Sequence, residues 1–188
     1  MKEGGGGCVF PPPFYVEDTM VDFEVRLGVP DDAAGAVDCM RQACGETDYL
    51  KTSPENFSLT EEKEREILAN PSTEGKYLFL FFAKVDGRIV GSASLSGNSH
   101  PRCGHMGVTG ISILKDFWGQ GMGRALMLAI LEKGRELHLH GIHLDVRADN
   151  ERAIGLYRKL GFIEDGRHED AMRVGAIYHD LIHMTKIL

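Results

Sequence analysis

A chain of 188 residues has room for one compact domain with a core of its own. Its composition, 43% hydrophobic and 26% charged, is that of an ordinary soluble globular protein, and 21 Lys+Arg against 28 Asp+Glu give a formal charge of −7, which leaves no basic surplus for a nucleic-acid backbone. No apolar run approaches the roughly 18 residues needed to span a membrane, and four cysteines without metal-ligand spacing point to reduced thiols and a cytoplasmic location.

The opening stretch, MKEGGGGCVFPPPFYVED, carries glycines and prolines where a signal peptide would place its apolar run. Residues 1–21 read as a flexible leader ahead of a single domain over 22–188. Residues 22–29 (DFEVRLGV) alternate charged and apolar side chains, the pattern of a half-buried strand. Pro30-Asp31-Asp32 opens a helix that runs through Ala33, Val37 and Met40 to about Gly45. Residues 46–75 are polar and irregular, with a second helix at 60–70 capped by Thr60; such a stretch suits a substrate-facing region or a plain surface connection. Next comes a hairpin: KYLFLFFAKV is a dense apolar strand, Asp86-Gly87 a tight turn, and RIVGSASLS the return strand. A third strand follows at 105–114, then a glycine-punctuated loop at 118–123. The long helix after it aligns Met122, Ala125, Leu126, Ala129 and Ile130 on one face and ends by 138–141. Residues 141–147 (GIHLDVR) form a strand, Asn150 starts a helix that Gly161 stops, and strands near 162–167 and 176–188 close the chain. Hairpins beside strand-helix-strand units predict a mixed sheet with helices on its faces.

Gly119, Gln120, Gly121, Met122, Gly123 and Arg124 stand where the third strand passes into the long helix. Glycines let backbone amides approach an anion closely, and the unpaired N–H groups of a helix start carry partial positive charge. Such a turn can cradle a pyrophosphate, with Arg124 adding a charge-assisted contact. Neither common phosphate loop matches: no GxxxxGK(S/T) lysine follows, and the third glycine comes two residues after the second rather than three. A tight strand-to-helix turn without a ligand stays open at this point.

About twenty residues later the chain reads Asn150-Glu-Arg-Ala-Ile-Gly-Leu-Tyr-Arg-Lys-Leu-Gly-Phe162. The loop resembles motif A of the GNAT N-acetyltransferase superfamily, Gln/Arg-x-x-Gly-x-Gly/Ala. The second stretch resembles motif B, N-x-x-A-I-x-L-Y-x-x-x-G-F, at Asn150, Ala153, Ile154, Leu156, Tyr157, Gly161 and Phe162. The resemblance extends over roughly 23–188; its departure is Trp118, where Gln or Arg opens motif A. It implies an α/β (α+β) fold, with a mixed, mostly antiparallel central sheet of about six to seven strands flanked by helices. It also implies acetyl-CoA as acyl donor. The backbone of Ile111, Ser112 and Ile113 would pair with the pantetheine arm, Gly119 to Arg124 would bind the pyrophosphate, and Asn150 would help to hold the cofactor. Tyr157 matches the tyrosine that hydrogen-bonds the sulfur and protonates the leaving thiolate.

An alkylammonium has a pKa near ~10, so the acceptor must lose a proton before it attacks. Asp145 is the first candidate for the base, since some members of the family place a glutamate five residues before the motif B asparagine. An Asp that merely pairs with Arg147 is the other reading, and both stay open. His105 and Glu46 are further candidates. His138, His140 and His143 spell H-x-H-x-x-H but straddle a helix end and a strand start, so no metal is assigned. His179 and His183 read as solvated residues of the last strand.

The resemblance implies direct transfer of acetyl to a primary amine of a small or amino-acid-like acceptor. A protein N-terminus or lysine is the alternative acceptor, and a non-catalytic acyl-CoA sensor is the alternative from another class. The expected partner is a small-molecule or peptide amine, with no nucleic acid and no membrane. Homodimers are frequent in the family, although no apolar stripe here specifies an interface.

Overall fold

The computed structural model describes residues 21–73 and 75–188. The expected leader lies outside them, save Val21. Along the chain come β1 (Glu24–Leu27), α1 (Ala33–Glu46), α2 (Glu61–Ala69), β2 (Ser72–Thr73), β3 (Lys76–Val85), β4 (Arg88–Asn98), β5 (Met106–Ile113), α3 (Met122–Glu136), β6 (Gly141–Arg147), α4 (Glu151–Lys159), β7 (Ile163–Val174) and β8 (Ile177–Ile187).

Local chemistry explains most of these boundaries. Thr60 Oγ1 accepts the Lys63 N–H at 3.3 Å and Asn150 Oδ1 accepts the Ala153 N–H at 3.2 Å, so both act as the expected helix caps. Asp86 and Gly87, with φ of 49° and 79°, form the left-handed pair that a tight hairpin turn requires. Three boundaries depart from expectation. The two-residue β2 is too short to show any periodicity and brings the sheet to eight strands. Helix α3 stops at Glu136, because His138 adopts φ of 54° and leaves the helical path. Strand β7 continues to Val174; nearly all of its residues are exposed, so no alternation marks its length.

The sheet order is β1-β3-β4-β5-β6-β8-β7, with β2 paired to β3. Six of its seven adjacent pairings are antiparallel, and β5–β6 is parallel. Helix α3 packs on β3 to β6 and shares a core with them: Phe82, Leu95, Leu126, Met127, Ile130, Ile142, Leu144 and Met184 are all below 2% exposed. Each such side chain contributes about 1.5–3 kcal/mol of apolar burial. Strand β6 alternates its faces. Ile142, Leu144 and Val146 are buried, with Ile142 lying under Gly134 of α3. His143, Asp145 and Arg147 therefore point to the opposite face, where the connection from α1 to α2 crosses the sheet. No described helix is long and apolar enough to cross a membrane.

Candidate active site

Strands β5 and β6 pair only over Met106–Val108 and Gly141–His143. Beyond that point they part, although β5 stays paired to β4 as far as Ile113 and β6 to β8 as far as Arg147. The ladder phase follows from two flanking bonds, Leu114 N–H to the Val90 carbonyl and Ala148 N–H to the Asp180 carbonyl. Residues alternate sides along a strand, so Ile111 on β5 and Asp145 on β6 turn their backbone groups into the gap. A parallel sheet is opened here as a wedge, and an extended ligand arm can enter as a strand.

The glycine turn sits at the C-terminal end of β5. Gly119 and Gly121 have φ of 80° and 83°, a region costly for other residues, and a Cβ on either would meet open space within 4 Å. Gly121 caps α3, and its carbonyl accepts the Ala125 N–H. The N–H groups of Met122 and Gly123 thus precede any intrahelical partner. Gly123 has a different role: a Cβ there would stand 3.1 Å from Leu156, 3.3 Å from Ile113 and 3.4 Å from Ile111, so its absence lets α3, α4 and β5 close together. Gln120 donates to the Asp116 carbonyl at 3.0 Å. Ser112 points away, its hydroxyl 3.0 Å from that of Ser92. Trp118, the departure from motif A, donates its indole N–H to the Ile113 carbonyl at 2.7 Å, and the Arg152 guanidinium lies 3.4 Å over its ring. Its side chain therefore ties the end of β5 to the first turn of α4.

Tyr157 projects from α4, 6% exposed, with its ring centroid 5.8 Å from that of Phe162. Burial pushes its phenol up to about 12. Asp145 does not pair with Arg147. Its Oδ1 accepts a hydrogen bond from His183 Nδ1 at 2.9 Å, and Lys51 Nζ lies 3.4 Å from Oδ2. Burial raises the Asp145 carboxyl, but the His183 hydrogen bond and the Lys51 charge outweigh it and hold it below the ordinary value. His183 is thus a partner of the site and not the solvated residue that strand parity suggests. Register explains the pairing, because Asp145 and His183 are direct cross-strand neighbours. His143 adds a ring 4.9 Å from that of His183, and its pKa is lowered, first by burial and then by His183.

Arg147 serves the loop above. It makes two 2.7 Å bonds to Asp149, donates to the Asp48 carbonyl at 3.1 Å, and lies 4.4 Å over the Tyr49 ring. The segment 48–51 is thereby fastened over the same face as Asp145. Other candidates fall elsewhere. Glu46 accepts the Lys115 N–H at 2.7 Å and the Gln42 amide at 2.6 Å, a structural role. His105 packs edge-on to His140 at the closed end of the β5–β6 wedge. His138, His140 and His143 do not converge; among the described residues, the histidines and carboxylate whose ligand atoms do converge are Asp145, His168 and His183. His168 carries no local sequence signal, since the strand register alone brings it there.

A family model described as the acetyltransferase (GNAT) family matches residues 46–162. The mycothiol acetyltransferase of Pseudarthrobacter chlorophenolicus is 36% identical over 88 residues, covering 45% of this chain and 27% of that protein. The L-amino acid N-acetyltransferase AaaT of Escherichia coli is 33% identical over 107 residues, covering 56% of this chain and 65% of that one. The chain thus spans about a quarter of the first relative and just under two thirds of the second. A GNAT-family acetyltransferase from Streptococcus pneumoniae superposes with a TM-score of 0.83 at 26% identity, over 89% of this chain and all of that one.

Proposed function

Because the chain belongs to the acetyltransferase (GNAT) family, we propose that it is an acetyl-CoA-dependent N-acetyltransferase whose acceptor is a primary amine on a small or amino-acid-like molecule. One observation carries the reading: a parallel strand pair that opens after three residues beside a glycine turn at a helix start. These features fit acetyl-CoA. The freed edge of β5 at Ile111 would pair with the pantetheine arm, and the turn from Gly119 to Arg124 would receive the pyrophosphate at the start of α3. Asn150, which caps α4 shortly after β6, would help to hold the cofactor. When bound, acetyl-CoA supplies the thioester whose acetyl group the amine takes.

The chain's own residues then handle protons. Tyr157 keeps its phenolic proton through any physiological pH, since burial raises it to about 12. At that value it is a good hydrogen-bond donor to a developing thiolate but a reluctant source of a whole proton, because an ordinary thiol titrates near ~8.5. Its role is accordingly charge stabilisation at the sulfur. Asp145, ionised, accepts from His183 Nδ1 and so leaves His183 Nε2 as an acceptor when the ring is neutral. The Asp145–His183 pair is the base that takes the proton of the incoming ammonium. The segment 48–51 closes over this pair through Arg147 and favours a small acceptor over a long peptide. AaaT, which acts on L-amino acids by its name, supports the same acceptor class. The alternatives from the sequence, a protein amine and a non-catalytic sensor, lack a specific structural observation, and a cytoplasmic location suits the acetyl-CoA donor.

The test is release of free thiol from acetyl-CoA over a panel of amino acids, polyamines and short peptides. Saturable release with an amino acid or small amine is the expected result. Release with peptides alone would move the acceptor to protein, and acetyl-CoA binding without release on any amine would leave a sensor.

A further inference from the structure

Asp145, His183 and His168 come from three adjacent strands, β6, β8 and β7. Asp145 faces His183 in register, and His183 faces Gly166, two residues before His168, so all three side chains stand on one face of the sheet. Their ligand atoms lie within 4.8 Å of one another, and the rings of His168 and His183 meet edge-on at 6.5 Å.

We propose that these three residues form a Zn²⁺ site that shuts off the base when filled. Two imidazoles and a carboxylate are a donor set for zinc, whereas calcium and magnesium prefer oxygen alone. Zinc bonds of about 2.0–2.2 Å require the three atoms to draw together by roughly 1 Å, a shift within reach of small side-chain rotations. Asp145 and His168 are exposed and His183 is half-buried, which leaves solvent access for a water as fourth ligand. Lys51, 73% exposed at its side chain, holds Asp145 Oδ2 at 3.4 Å and is the competing cation that zinc must displace. A bound ion would engage both Asp145 and His183, the two residues of that base. The inhibitory consequence rests on the reading of that pair as the base, while the binding does not.

Two measurements separate these claims. Titration calorimetry of full-length protein, stripped with chelator, against zinc chloride alone should give one saturable equivalent. His168→Ala and the bulkier His168→Gln should each weaken it at least about tenfold, the loss that even an outer partner of a metal ligand costs. Lys51→Ala should tighten it a few-fold by removing the competing charge. Heat that fails to saturate, or zinc affinity unchanged in both His168 variants, overturns the site. In the thiol-release assay, zinc should slow the wild type and spare His168→Ala, whose rate without metal should match wild type. Zinc that binds through His168 yet leaves the wild-type rate intact overturns the regulation and keeps the site.

Discussion

Tyr157 sits where packing and chemistry meet, and its hydroxyl can be removed without disturbing the rest. The ring fills space beside Phe162 at 6% exposure, so Tyr157→Phe conserves the packing and deletes one polar atom. If the phenol stabilises charge on the leaving sulfur, kcat falls about 10²-fold or more while the acetyl-CoA Kd moves less than twofold. A kcat within a factor of about two of wild type reduces Tyr157 to packing. Because burial raises the phenol to about 12, its protonated form persists upward in pH, and wild-type kcat should show no falling limb from this group below about pH 10. Gly121 poses the complementary question. At φ of 83° a valine costs about 1–2 kcal/mol of backbone strain, and its branches fill the open space beside the first amides of α3. Gly121→Val should raise the acetyl-CoA Kd at least about tenfold by titration calorimetry; an unchanged Kd would remove the turn from the binding site.

Between elements, the decisive contacts are those that hold the connection of α1 to α2 over β6. Arg147 does this with a planar fork that meets Asp149 twice, the Asp48 carbonyl once and the Tyr49 ring face. Lysine cannot reproduce that geometry, so Arg147→Lys should behave much like Arg147→Ala. Both should raise the acceptor KM about tenfold and lower stability by about 2 kcal/mol, with acetyl-CoA affinity unchanged. An acetyl-CoA Kd that weakens in parallel would show that the segment serves the whole wedge and not the acceptor side. These contacts also mark the limit of what the sequence discloses. The hairpin at Asp86-Gly87, the caps Thr60 and Asn150 and the glycine turn are legible because each is a local event within a few residues. The partner of Asp145 is not, since His183 is 38 residues away and Lys51 94 residues away. Only the β6–β8 register brings His183 opposite Asp145, and a slip of one residue would send its side chain to the other face. Arg147, two residues along the same strand, is the natural guess for Asp145, yet Asp149 holds it with better geometry. Trp118 is legible as a departure but not as a strut, because its partner Arg152 belongs to the following helix.

For the molecule as a whole, one buried ion network joins the N-terminal elements to the sheet. Asp32, 6% exposed at the start of α1, accepts from Arg26 of β1 at 2.7 and 2.8 Å, from Lys84 of β3 at 2.8 Å, and from the Val29 N–H at 2.9 Å. Burial alone would raise this carboxyl, but the hydrogen bonds from Arg26 and Lys84 outweigh it and bring it to about 2 from an ordinary 3.8. A carboxyl depressed in the folded state stabilises above its unfolded pKa, and that contribution is lost as pH falls through the folded value. The difference corresponds to about 2 kcal/mol, present above pH 4 and withdrawn between about pH 4 and pH 2. Asp32→Asn leaves Arg26 and Lys84 facing a neutral amide, so it should cost about 3 kcal/mol at neutral pH. It should also flatten the acid limb, because the group that titrates is gone. Urea unfolding from pH 7 down to pH 2 checks both at once: wild type should lose about 2 kcal/mol more than Asp32→Asn on acidification. Parallel curves would mean that other carboxylates govern acid unfolding and that the network holds the N-terminal elements by packing rather than by charge.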